Sequence, residues 1–199
     1  MNHLANLSTL RNHYYVMRHG QSKANVAGLI ISHPENGTHS DYALSPTGSQ
    51  QALSSAQQTH LDDTTIIFSS DFSRALETAE IVRQQLSCAQ VQITHSLRER
   101  NFGEYEMSDH GNYQLVWNDD IVDATHKNNG VESIEEVTER VTSFINRLEA
   151  TYMDKNILLV SHGDTLQILQ TAFQKVDGSA HRSLPHLETA EIRELQLQP

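Results

Sequence analysis

Cysteine, proline and tryptophan are scarce in this chain of 199 residues, which holds one, four and one of them respectively. A lone cysteine, Cys88, excludes an intrachain disulfide and fits a reducing compartment, so a hydrophobic core must hold the fold. Cys88 itself reads as packing at a helix end. No apolar run approaches the roughly 18 residues a membrane helix needs. Residues 1–9 hold no basic region followed by a long apolar stretch. Positive charge is sparse as well: lysine and arginine total 14 against 25 aspartates and glutamates, for a formal net charge of −11. That balance excludes a general nucleic-acid footprint. It leaves room for a local basic pocket, because net charge governs solubility and encounter more than local chemistry. The expectation is a cytoplasmic enzyme or binding protein, one domain over 1–199, with no nucleic-acid or membrane partner.

What is present is an alternation of strand and helix signals. Residues 14–17, 64–68, 91–93 and 157–160 read as buried strands, and 188–197 alternates enough for a last edge strand. A short helix can open over 21–25. A second starts at Ser45, a suitable N-cap with Pro46 at the first helical position. A third covers 75–86. From Ser133, Ile134, Val137, Val141, Ile145 and Leu148 keep helical spacing, and Ser133 with Glu136 fits a capping box. Residues 165–173 form the last helix. The stretch 31–42 reads as a surface loop, and 101–129 as an irregular lid or insertion. The pattern predicts an α/β three-layer sandwich: a mostly parallel central sheet with one antiparallel edge strand, flanked by helices.

Arg18-His19-Gly20 leaves the first strand and His162-Gly163 leaves the fourth. In open α/β sheets ligands bind outside the carboxyl ends of strands. Arg74 falls at a helix start, and Glu99 follows the third strand. Taken singly, each has an ordinary explanation: a hydrogen-bonded loop histidine, a surface ion pair, a charge cluster of Glu99 with Arg98 and Arg100. Together they converge on one sheet edge as a cleft suited to an anion. The 12 histidines include no H-E-x-x-H and no Cys/His cluster, so no metal is expected.

Arg18-His19-Gly20-Gln21-Ser22-Lys23-Ala24-Asn25 resembles the Arg-His-Gly-x-[Ser/Thr]-x-x-Asn signature of the histidine phosphatase superfamily, phosphoglycerate mutase-like branch. Leu44-Ser45-Pro46-Thr47-Gly48, Ser73-Arg74-Ala75, Leu97-Arg98-Glu99-Arg100, Gly130-Val131-Glu132-Ser133 and Val160-Ser161-His162-Gly163 follow in the family's order. The resemblance covers nearly the whole chain and implies a phosphoglycerate mutase-like fold.

It also implies a mechanism. His19 would be a nucleophile forming a phosphohistidine. Arg18, Arg74 and His162 would hold phosphoryl oxygens, for which planar guanidinium groups are suited. Glu99 would be the general acid and then the base that activates water, which requires that at least one of Arg98 and Arg100 turn away from it. Asn25 would contact phosphate or the leaving group, with Gln21, Ser22 and Gly163 alongside in substrate binding. Gln21 stands where glutamate is common in the mutase signature. Residues 104–132 hold one lysine, Lys127, against Glu104, Glu106, Asp109, Asp119, Asp120 and Asp123, an acidic lid expected to disfavour a second anionic group. The resulting expectation is a metal-independent phosphomonoester hydrolase without a cofactor, acting on a small phosphorylated substrate. The alternatives are a cofactor-dependent phosphoglycerate mutase and a non-catalytic phosphoester-binding protein. Asp164 is expected to cap a helix start. His33, His39, Tyr105, Trp117 and His181 are expected at the surface or in packing, and the oligomeric state is left open.

Overall fold

A computed structural model describes residues 1–199. The strands are β1 (His13–Arg18), β2 (Ile66–Ser69), β3 (Gln92–Ile93), β4 (Asn156–Ser161) and β5 (Ile192–Leu195). The helices are α1 (Lys23–Ala27), α2 (Pro34–Gly37), α3 (Pro46–Gln58), α4 (Ser73–Leu86), α5 (Tyr113–Val122), α6 (Ile134–Thr151) and α7 (Gly163–Gln174). The strands make one five-stranded sheet in the order β3-β2-β4-β1-β5. β1 to β4 are parallel, and β5 runs antiparallel to β1 at the edge.

Side-chain alternation along the strands divides the core into two layers. Tyr14, Val16, Ile157 and Leu159 face Val141 and Ile145 of α6 and Leu166 and Leu169 of α7. Tyr15, Met17, Leu158 and Val160 face Ala52 and Ala56 of α3 and Ala75 and Ala79 of α4. β4 is covered on both faces, which is why its sequence reads as an unbroken apolar run. The helix starts follow their caps: the Ser45 hydroxyl accepts from the Gly48 amide, and Ser133 and Glu136 form the expected capping box. Cys88 is buried just beyond the end of α4. No helix is long and apolar enough to cross a membrane.

Two stretches differ from expectation. Residues 31–42 are more than a surface loop: Ile31 and Ser32 are buried, and α2 and a 3-10 turn at Ser40–Tyr42 follow. Residues 101–129 carry α5, and their Phe102 and Val116 pack with Ile30 and Val131 in a small separate core. Glu106 ties the two stretches together. Its Oε2 accepts from the Ser32 amide at 2.7 Å and the Ser32 hydroxyl at 2.8 Å, and its Oε1 accepts from Asn36 Nδ2 at 2.8 Å. We call residues 99–132 the cap.

Parallel pairing brings the carboxyl ends of β1, β2 and β4 to one edge. Arg18 lies opposite Ser161, and Ser69 opposite Val160. The His19 amide therefore still donates to the Ser161 carbonyl at 3.0 Å, and the Ser70 amide to the Val160 carbonyl at 3.1 Å. His19, Ser70 and His162 leave the sheet side by side.

Candidate active site

His19 is 3% exposed and lies at the floor of a cavity of about 460 Å³. Its Nδ1 is 2.7 Å from the Gly20 carbonyl, which can only accept, so that nitrogen carries the proton. Nε2 then has the lone pair, and it accepts from Arg74 Nε at 3.1 Å. The turn that holds this geometry needs two glycines. A Cβ on Gly20 would sit 2.3 Å from the Gly48 carbonyl oxygen, and one on Gly48 would sit 2.0 Å from the Gln21 carbonyl oxygen.

Arg74 sits in the first turn of α4. Its Nη2 donates to the Ile31 carbonyl at 2.8 Å, while the buried Nη1 has no partner. Arg18, at the end of β1, donates through Nη1 to the Leu187 carbonyl and to His186 Nε2, and its buried Nε is unpartnered. Gly163 backs this group, with the Arg18 guanidinium carbon 3.6 Å from the position its Cβ would take. His162 lies behind the cavity wall, fully buried, its ring edge-on to that of His19 at 5.2 Å. The Ser70 hydroxyl accepts from the Phe72 amide and lies within hydrogen-bond distance of His162 Nε2 at 2.9 Å, while the buried His162 Nδ1 has no partner. Arg18 Nε and Arg74 Nη1 are thus unused donors on side chains that line the same cavity as His19, and His162 Nδ1 is a third buried polar atom without a partner. Buried donors without partners are costly and uncommon in native proteins.

Electrostatics reinforce this arrangement. Burial holds the His19 pKa well below the usual histidine range, and the charges of Arg74 and Arg18 lower it further. His162 is lowered by burial first, then by Arg74 and His19. Glu99 moves the other way: burial raises its pKa, and the neighbouring charge of Asp164 adds to the rise. Its Oε1 accepts from the Arg100 amide at 2.9 Å and from the Thr165 amide at 3.2 Å, and its Oε2 accepts nothing.

Both arginines beside Glu99 turn away from it. Arg98 forks onto Asp71, with Nε to Oδ1 at 2.8 Å and Nη2 to Oδ2 at 2.6 Å. Arg100, fully buried, grips both oxygens of Asp120 at 2.7 Å and reaches Asp164 Oδ2 at 3.2 Å. Asp164 does not cap the start of α7, which has His162 at its N-cap position and no side-chain cap. Its Oδ1 also accepts from Trp117 Nε1 at 3.0 Å and lies 3.5 Å from the buried His181; against the effect of burial, His181 first and then the charges of Arg100 and Arg182 hold its pKa well below the usual carboxylate range.

The remaining expected binding residues divide. Ser22 and Asn25 line the cavity and cap α1 for each other, the Asn25 Oδ1 accepting from the Ser22 amide. Gln21 does not line it. Its side-chain oxygen accepts from the Ser45 hydroxyl at 2.8 Å and so braces the start of α3. The acidic lid is also corrected. None of Glu104, Glu106, Asp109, Asp119, Asp120 or Asp123 faces the cavity; the cap presents His110, Gly111, Tyr113, Gln114 and Trp117 to it. Trp117 is a wall residue rather than simple packing. Sequence reasoning missed Tyr113, Arg182 and His186, which also line the cavity and belong to no motif. No group of three or more His, Cys, Asp or Glu side chains is arranged to hold a metal ion.

A parallel sheet with two strand-end histidines, two arginines and a buried carboxyl at one edge defines a phosphoryl-transfer class of site. The family model "Histidine phosphatase superfamily (branch 1)" matches residues 14–199, and the chain belongs to that superfamily of phosphatases and phosphoglycerate mutase-like enzymes. The chain is 30% identical over 175 residues to a protein named probable phosphoglycerate mutase GpmB from Proteus mirabilis, covering 85% of this chain and 78% of the relative. It is 31% identical over 163 residues to the adenosylcobalamin/alpha-ribazole phosphatase of Escherichia coli, covering 78% and 75%. Among solved structures it resembles a mycobacterial glucosyl-3-phosphoglycerate phosphatase, with a TM-score of 0.75 and 25% identity over 92% of this chain and 90% of that one. Bacillus stearothermophilus YhfR shares the fold at a TM-score of 0.77 and 24% identity, over 92% and 90%.

Proposed function

We propose that residues 1–199 act as one domain that hydrolyses a small phosphomonoester through a phosphohistidine on His19. The carrying observation is the pair of unused donors on Arg18 and Arg74 in the cavity where His19 Nε2 has its lone pair. Nε2 attacks phosphorus, and the ester P–O bond breaks. Glu99 gives its proton from Oε2 to the leaving oxygen. Glu99, now a carboxylate, takes a proton from water whose oxygen attacks phosphorus. The P–N bond breaks, releasing inorganic phosphate, neutral His19 and protonated Glu99. Phosphoryl transfer needs chiefly positioning and charge stabilisation, which Arg18 and Arg74 supply. Ser22, Asn25 and the start of α7 at Gly163 border the same pocket and complete the substrate contacts.

Water as acceptor is favoured by the distribution of positive charge. A mutase must turn a doubly phosphorylated intermediate in place, which demands a second full cradle of cations. Beyond Arg18 and Arg74 the cavity offers one further arginine, Arg182. A coupled assay primed with bisphosphoglycerate tests this: phosphate release should outpace phosphoglycerate isomerisation, and the opposite order would assign the chain as a mutase. His19→Ala should lower turnover of any hydrolysed phosphomonoester by about 10⁴-fold or more while the protein stays folded. Normal turnover in that variant would remove the phosphohistidine route.

A further inference from the structure

Residues 184–187 form no helix or strand, yet a side chain holds each of their carbonyls. Gln167 Nε2 donates to the Leu184 carbonyl at 2.9 Å, and Arg193 donates to those of Pro185 and His186 at 2.8 Å each. Arg18 Nη1 donates to the fourth, of Leu187, at 3.0 Å, and the Leu187 side chain is buried in the larger core. Carbonyls of a connecting segment ordinarily face water. Here their bonds fix one side chain, the His186 imidazole, in the cavity lining beside Arg18.

His186 Nε2 lies 2.7 Å from Arg18 Nη1. A guanidinium only donates, so Nε2 has the lone pair and the ring is neutral, with its proton on Nδ1. Arg18 Nη1 is thereby used twice, on His186 and Leu187, while no protein group accepts from Nε or Nη2. Those two nitrogens form the planar fork that suits a phosphoryl group. The His186 ring remains open to solvent. Charged groups approach it from three places: Arg18 from β1, Arg182 from the 3-10 turn at Gly178–Ser183, and Glu188 and Glu191 from the segment before β5. Arg182 donates through Nη1 to the Gln167 side-chain oxygen and lies 3.7 Å over the Trp117 ring, and Glu191 is paired with Arg193. Partial burial, then Arg18 and Arg182, lower the His186 pKa, and the two glutamates oppose them less strongly.

We propose that His186 is a positioning residue for Arg18: its neutral ring accepts from Nη1 and so presents the free Nε–Nη2 edge to the phosphoryl group. This inference rests on the reading of Arg18 as a phosphoryl holder given above. A proton taken up at Nε2 removes the acceptor and sets an imidazolium against a guanidinium, so the contact breaks. Affinity for the phosphoryl group is therefore full above the His186 titration and reduced below it. His19, fully buried and shifted further, stays neutral over the same range. The same proton would add a positive charge near an incoming anion. The two effects have opposite signs, and the positioning role requires that the loss of the acceptor prevail.

The test sets the wild type against His186→Gln, whose side-chain oxygen accepts without titrating, and His186→Ala, which offers no acceptor. With an aryl phosphomonoester, the wild-type to His186→Gln ratio of kcat/KM cancels the titration of the substrate itself. It should stand near one at about pH 8 and fall by about 3- to 10-fold by about pH 5, through KM rather than kcat. His186→Ala should lie below the wild type by a similar factor at the upper end and lack the acid decline. A ratio that does not change with pH would overturn the positioning role. A ratio that rises toward acid would also overturn it, because protonated His186 would then be a ligand of the anion. Sulfate keeps its charge over this range, and calorimetry of sulfate with His19→Ala protein reads the same dependence without turnover. If no protein hydrolyses the ester, but sulfate binding weakens toward acid in His19→Ala and not in the His19→Ala, His186→Gln double variant, the positioning role stands and the catalytic reading falls. Sulfate affinities that follow pH alike in both proteins would overturn the positioning role independently of catalysis.

Discussion

The floor of the cavity and the wall behind Glu99 use the same residue types in opposite ways. At the floor, Arg74 is buried beside two neutral histidines and keeps Nη1 unpartnered. In the wall, Arg100 is fully buried and meets Asp120 and Asp164, which also contact the buried His126 and His181. A buried charge with its partners present is part of the fold; one without them is organised for something that arrives. The wall joins α5 and the segment after Glu99 to the start of α7, so the cap is fixed to α7 beside Glu99. The floor holds donors ready at the cost of some stability, as active sites commonly do.

Removing each arginine breaks the comparison most directly. Arg74→Met should lower kcat/KM by about 10²–10³-fold, the range for a lost charge-stabilising donor. Its cost in stability should be no more than about 1–1.5 kcal/mol, because no carboxylate is left unpaired. Arg100→Met should instead destabilise by about 3–5 kcal/mol, since Asp120 and Asp164 lose their counter-charge in the interior. Denaturant unfolding of the two variants reads this directly. Equal losses of stability would erase the distinction between floor and wall.

A smaller effect concerns the wall's influence on the acid. The proposed mechanism needs neutral His19 and protonated Glu99. The lowered His19 pKa keeps the ring neutral well into the acid range, and the raised Glu99 pKa keeps the proton to higher pH than usual. Activity should therefore hold between these limits and fall as pH rises through the Glu99 value. Asp164→Asn removes a negative charge that favours the protonated form, so the alkaline limb of kcat/KM should move to lower pH. A limb that stays in place or moves upward would show that Asp164 does not set it.

Much of the floor was legible in the sequence. His19, Arg74, Glu99 and His162 stand at strand exits or a helix start, and parallel pairing alone brings them to one edge. The wall was not. The start of α5 lacks a side-chain cap, and its apolar residues follow no single face, with Val116 buried while Leu115, Ile121 and Val122 are exposed. Both ordinary signals of a helix were therefore missing. The acids of the cap were counted without their directions, and it is direction that matters: Asp120 points inward to Arg100 and Glu106 reaches across to Ser32. Arg182 lies in a stretch without periodicity, where only its distant contacts with Gln167 and Trp117 give it meaning. Gln21 shows the converse: a motif position can serve the helix behind it, here through Ser45.

The central claim is the covalent intermediate on His19, and Glu99→Gln exposes it. An activated aryl phosphomonoester needs no proton on its leaving group, so this variant should form the phosphoenzyme and then hydrolyse it about 10²- to 10⁴-fold more slowly for want of a base. Rapid quenching in alkali, followed by peptide mapping, should find close to one acid-labile phosphoryl group per chain, located on His19. A label on His162 or another residue, or none while aryl alcohol is released at the normal rate, would contradict the account.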